Sequence, residues 1–153
     1  MTTQRMKNPG TLIPGAVGAI QSLIGALQKA GLPPAVMHLV HLRTSQINGC
    51  GFCVDIGVKH SKQDGETDER LHAVAAWREM PYFSEAERAA LALAEAMTRI
   101  DHGDPVPDSV WDAAARQFEE KQLAALALWI ATVNMFNRAN VATRQQGGQP
   151  LPG

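Results

Sequence analysis

From Pro14 to Gln145 no run of this chain alternates apolar and polar side chains with a period of two, whereas apolar residues recur every three to four positions. Alternation is what buries one face of a sheet, and the longer period is what buries one side of a helix. The pattern therefore predicts an all-α fold, a single-domain helical bundle of about six or seven helices. Glycine and proline mark the breaks. A first helix runs from about Pro14 to Ala30 with Gly31 as its stop. A second opens at Pro33-Pro34 and ends at Asn48-Gly49, and a third starts at two cysteines and fades near Gly65. Thr67 and Asp68 are cap candidates for a fourth, which Pro81 closes. Ser84 and Glu87 have the spacing of a capping box and start a fifth. HGDPVP reads as a loop, followed by a short helix from about Asp108 to Gln117 and a long one from Glu119 to about Gln145.

That last helix is apolar nearly all round from Leu123 to Phe136, which puts it at the centre of the core or against another subunit. Residues 1–13 read as a flexible arm, 14–146 as the helical domain and 147–153 as a flexible tail.

Charge narrows the function classes. Fourteen Lys and Arg stand against fifteen Asp and Glu, a net of −1, with no basic cluster of the kind that nucleic acid or an anionic membrane requires. No apolar run reaches the roughly 18 residues of a membrane span. Pro14, Gly15, Gly18 and Gln21 interrupt any signal-peptide core, so the expected compartment is the cytoplasm. Two cysteines three residues apart are no scaffold for a small secreted fold.

Those two, in Cys50-Gly51-Phe52-Cys53, are the chemical signature of the chain. Residues i and i+3 of a helix lie at a separation that a disulfide can bridge. The breaker Asn48-Gly49 places Cys50 at a helix start, where free amides and the helix dipole favour a thiolate. Redox chemistry, a metal site and a purely structural role are all compatible with a lone CxxC. His38 and His41, three apart, would complete a Cys2His2 set, but zinc knuckles hold CxxC in a turn rather than on a helix. No metal and no cofactor are therefore expected.

The run LVHLRTSQINGCGFC from Leu39 to Cys53, with Asp55 after it, resembles the alkylhydroperoxidase-D-like branch of the carboxymuconolactone decarboxylase family. Leu42-Arg43, Ser45, Asn48, Cys50 and Cys53 carry the likeness. It continues in Ser84–Leu91, Thr98, the HGDPVPDSVWD segment and Asn134–Arg138, and so spans about Leu39 to Thr143. The resemblance implies a CxxC peroxidase, a trimer or hexamer, and a proton relay that includes a glutamate twelve residues before the first cysteine and a histidine four after the second. Here those places hold His38 and Gly57. His38 is then the candidate stand-in for the glutamate, because an imidazole titrates near neutrality and could tune the pair.

His60 shares the helical face of Cys53 but sits about 10 Å further along, and reads as a solvated or interface histidine. Arg43 is expected to pair with a carboxylate such as Asp55. His72 and His102 read as surface residues, and Trp77, Trp111 and Trp129 as core or interface anchors.

The expectation is a thiol-dependent peroxidase with Cys50, Cys53 and His38 as its catalytic residues. Cys53 would attack a hydroperoxide, Cys50 would condense with the sulfenic acid, and an external dithiol reductant would reopen the disulfide. Two alternatives stand beside it. One is a redox sensor or structural oligomer whose disulfide switches without turnover. The other is a decarboxylase-type enzyme, a branch that does not depend on CxxC.

Overall fold

The computed structural model describes residues 3–148, and within them every regular element is helical. Eight α-helices and one 3-10 helix follow in order: α1 (Pro9–Leu12), α2 (Ala16–Lys29), α3 (Pro34–Ile47), α4 (Gly51–Gln63), α5 (Asp68–Ala73), the 3-10 helix (Val74–Glu79), α6 (Glu85–Thr98), α7 (Asp108–Gln117) and α8 (Glu120–Thr143). The all-α expectation holds, with two more pieces than the sequence pattern counted. The continuous helix expected from Asp68 past Trp77 instead tightens into the 3-10 turn and breaks at Ala76 (φ −122°, ψ 32°). That break still buries both Val74 and Trp77.

The other extra piece is α1, inside the segment expected as a loose arm. Asn8 caps it by accepting from the Gly10 amide at 2.9 Å. The same segment is tied to the end of α8, where Arg5 N donates to Thr143 O at 3.0 Å. The expected tail begins at 147; Gly147 and Gly148 lie against α4, and 149–153, like Met1 and Thr2, lie outside the described residues.

The caps read from sequence are present. Thr67 accepts from the Arg70 amide. Ser84 and Glu87 form the reciprocal capping box, with bonds of 3.2 and 2.8 Å. Such a cap satisfies amides that the first helical turn leaves without partners.

Helix α3 is the axis of the bundle, packing against α4, α6 and α8. Val36 and Val40 join a core with Leu27, Leu93, Leu126, Ile130 and Val133. Leu39 and Leu42, on its other side, join a second core with Leu71, Val74, Trp77, Phe83 and Leu91. A helix buried on two sides cannot show a clean apolar stripe, which is why its pattern is mixed. Helix α8 resolves its apolar excess differently. Leu126, Ile130 and Val133 are fully buried, whereas Leu128 and Met135 are 54% and 47% exposed on the opposite face.

Between the cores lies Glu95, 6% exposed. Its Oε1 accepts from Arg43 Nε (2.8 Å) and Trp77 Nε1 (3.0 Å), and its Oε2 from Arg78 Nη1 (2.7 Å). Arg43 therefore pairs with Glu95, not with the expected Asp55. Asp55 instead holds Lys59 at 2.7 Å and the Gly148 amide at 2.9 Å, which keep its carboxyl below the usual range. Burial alone would raise the Glu95 carboxyl, but Trp77, Arg78 and Arg43 together carry it lower than usual. Among the described residues no helix is long and apolar enough to cross a membrane.

Candidate active site at the start of helix α4

The chain reverses between α3 and α4 at Asn48-Gly49. Gly49 has φ +65°, a left-handed conformation that costs glycine little. The reversal sets the two helices side by side and fixes who meets whom. Cys50 N donates to Ser45 O at 3.1 Å, Gly57 faces the His41 ring, and His38 Nε2 lies 2.7 Å from Asp64 Oδ2.

Cys50 is the N-cap of α4, and its sulfur accepts from the Cys53 amide at 3.3 Å. Both cysteines are 2% exposed and are joined as a disulfide, with Cα atoms 5.3 Å apart. The sulfurs thus sit on the first turn of a thirteen-residue helix, where amide donors and the dipole stabilise negative charge. A cavity of about 350 Å³ opens beside Cys50, lined by it with Phe52, Asn140, Val141, Arg144 and Gln145 among others. Cys53 lies beneath that lining and is reached from α8, where Asn140 Nδ2 donates to its sulfur at 3.4 Å.

Asn140 belongs to a row of amides along α8. Asn137, fully buried, donates to Ser45 Oγ at 3.0 Å and accepts from Asn48 Nδ2 at 2.9 Å. Asn134 also accepts from Asn48 at 2.9 Å and donates to Thr98 Oγ1 at 3.2 Å. Asn8 donates to Asn140 Oδ1 at 3.3 Å and so closes the row on the side of the N-terminal segment. Ser45 and Asn48 are held to α8 by these bonds, which fix the turn that presents Cys50. Asn140 was not among the expected site residues. Its signal is nevertheless in the sequence: three asparagines at intervals of three, on one face of an otherwise apolar helix.

The structure brings Cys50 and Cys53 together and does not bring His38 to them. Asp64, the partner of His38, is the C-cap of α4 and lies eleven residues beyond Cys53. At 1.5 Å per residue that is about 16 Å along the helix. Antiparallel packing carries a residue twelve before Cys50 to the far end of α4, so His38 does not reach the sulfurs directly. His60 is exposed, as expected, and so are His72 and His102. Trp77 and Trp129 are buried and Trp111 is 41% exposed. No group of three or more His, Cys, Asp or Glu among the described residues is placed to hold a metal ion.

The family model of the carboxymuconolactone decarboxylases matches residues 14–96, more than half of the chain and the part that contains the disulfide. The chain belongs to the carboxymuconolactone decarboxylase family. Two relatives of undescribed function are similar over most of their length. YdfG of Bacillus subtilis is 36% identical over 104 residues, covering 68% of this chain and 70% of its own. YnjA of Escherichia coli is 35% identical over 133 residues, covering 85% and 71%. Among solved structures, a protein of unknown function from Agrobacterium tumefaciens, provisionally called an AhpD antioxidant defence protein, is 33% identical with a TM-score of 0.87. The match covers 97% of this chain and all of that one. The debrominase Bmp8 is 23% identical with a TM-score of 0.77, covering 88% and 72%, a likeness of fold alone.

Proposed function

We propose that this protein is a thiol-dependent peroxidase that reduces hydroperoxides through a Cys50/Cys53 dithiol–disulfide cycle. The observation that carries the proposal is the disulfide itself: it joins the N-cap and the third residue of α4, with Cys50 on the wall of an open cavity. The provisional antioxidant assignment of the Agrobacterium structure supports it.

The geometry suits a division of labour. A dithiol reductant entering the cavity attacks the Cys50 sulfur, forms a mixed disulfide there, and expels Cys53 as thiolate. The Asn140 amide and the helix start stabilise that leaving group. The second thiol of the reductant then frees Cys50. The Cys53 thiolate attacks a hydroperoxide oxygen, the O–O bond breaks, and the departing alkoxide takes a proton to leave as alcohol. Cys53 becomes a sulfenic acid, and the Cys50 thiol condenses with it to restore the disulfide and release water.

The test is hydroperoxide consumption with dithiothreitol as reductant. Many turnovers per protein are expected for the native chain, with Cys53→Ser inactive and Cys50→Ser, given hydroperoxide without dithiothreitol, held as a Cys53 sulfenic acid. A single stoichiometric oxidation would instead favour a redox switch without turnover.

We propose further that the chain is a homo-oligomer, a trimer or hexamer, closed through the exposed α8 face of Ala124, Leu128, Ala131 and Met135, spaced three or four residues apart. Light scattering at micromolar concentration tests this, and a mass near 16.5 kDa would refute it.

A further inference from the structure

The dithiol site has an imidazole beside it after all, delivered from the other helix. Gly57 is buried and one turn beyond Cys53 on the same face of α4, so a side chain there would have its Cβ about 6 Å from that of Cys53. That space is already taken. A Cβ built on Gly57 would lie 2.4 Å from His41 Nδ1 and 2.8 Å from His41 Cε1, separations that no packed atom tolerates. The ring from α3 therefore fills the side-chain site of position 57. Trp129 of α8 stacks on it, with centroids 6.1 Å apart and planes 27° from parallel. Trp129 is itself fixed by a 2.9 Å bond from its Nε1 to Met37 O.

His41 Nδ1 is buried and has no hydrogen-bond partner. A buried nitrogen without a partner is costly, so its persistence asks for a reason. The disulfide state supplies none, because a disulfide sulfur is a poor acceptor. Reduction changes this by creating a thiol or thiolate at Cys53, one turn away.

We infer that His41 is a positioning residue of the dithiol: it occupies the space left by Gly57 and stabilises the reduced Cys53, to which its Nδ1 turns, directly or through one water, when the disulfide opens. The inference rests on the proposed dithiol cycle, though not on which oxidant drives it.

The ring's surroundings keep it neutral. Burial lowers its pKa to about 4, and His38 on α3 and His60 on α4 push in the same direction, His38 being itself paired with Asp64. A neutral imidazole can present Nδ1–H to a thiolate. A hydrogen bond donated to the charged form favours the thiolate.

The experiment measures the pH dependence of iodoacetamide alkylation of the fully reduced protein, with folding checked by circular dichroism. His41→Leu, which retains apolar bulk against Trp129, should move the midpoint of Cys53 alkylation up by about one pH unit, a roughly tenfold slower reaction at neutral pH. Gly57→Ala, whose Cβ must displace the ring, should shift it the same way. The double variant H41L/G57H, which returns an imidazole from α4, should recover much of the native profile. An unchanged profile in folded His41→Leu overturns the inference, and so does a folded double variant that recovers nothing. Because alkylation needs no peroxide, a native protein without peroxidase turnover would defeat the proposed function while leaving this result to stand or fall by itself.

Discussion

Replacing Glu95 separates the value of its charge from the value of its shape. In Glu95→Gln, the amide oxygen can take the place of Oε1 and still accept from Arg43 and Trp77, the two enclosed donors. The amide nitrogen then faces Arg78, whose side chain is 58% exposed and free to turn into water. What is lost is the charge on two retained bonds. Hydrogen bonds to ionised groups contribute about 1 kcal/mol more than neutral ones, so the expected cost is about 2 kcal/mol. Glu95→Ala leaves Arg43, only 14% exposed, without its carboxylate and with only Gln46 Oε1 at 3.5 Å, and removing the counter-charge of a buried cation costs about 4 kcal/mol. At about 3 °C per kcal/mol for a domain of this size, Tm should fall by about 6 °C for glutamine and about 12 °C for alanine. Thermal melts followed by circular dichroism at pH 7 measure both.

The sign of the pH dependence follows from the lowered carboxyl. The folded state binds the Glu95 proton less readily than the unfolded chain, so the stabilisation is complete above the ordinary value of about 4.3 and is lost as pH falls below it. The gap between native protein and Glu95→Gln should therefore narrow below about pH 4. Equal melting losses in the two variants, or a gap that survives at pH 3, would refute the reasoning.

Other outcomes follow from the amide row. Asn140→Leu removes the donor to Cys53 Sγ and should raise the alkylation midpoint of that thiol without unfolding the chain; iodoacetamide profiles of the reduced protein check it. Asn137→Ala empties a fully buried site, removes the donor to Ser45 Oγ and leaves Asn48 with Asn134 alone on α8, for a loss of about 3 kcal/mol in urea titration. Leu128→Asp places a charge in the exposed α8 face, and should lower the mass by light scattering while leaving the monomer's helicity intact.

The helices were legible because their signals are local. The caps at Thr67 and Ser84 and the break at Asn48-Gly49 each act within a few residues, and each survives in the structure. The dithiol was legible for the same reason. What failed were inferences across the fold. Twelve residues before Cys50 is near in sequence, yet the Asn48-Gly49 reversal sends His38 to the opposite end of α4, while Ser45, only five before, meets the turn. Arg43 found Glu95, 52 residues away, rather than Asp55, a choice made by the packing of α3 on α6. Position 57 held the subtlest difference. A glycine there reads as a missing group until α3 is seen to fill it.

The Cys50–Cys53 bond spans only three residues of separation, within a single turn of helix. Cross-linking so short a loop removes little freedom from an unfolded chain, about 2 kcal/mol by loop-closure entropy. The turn it crosses is meanwhile held by Cys50 N to Ser45 O and by the asparagines of α8, none of which involves the sulfur–sulfur bond. As a mechanical tether the bond is nearly redundant. In the proposed cycle it serves instead as an electron reservoir, filled and emptied while the architecture around it stays the same.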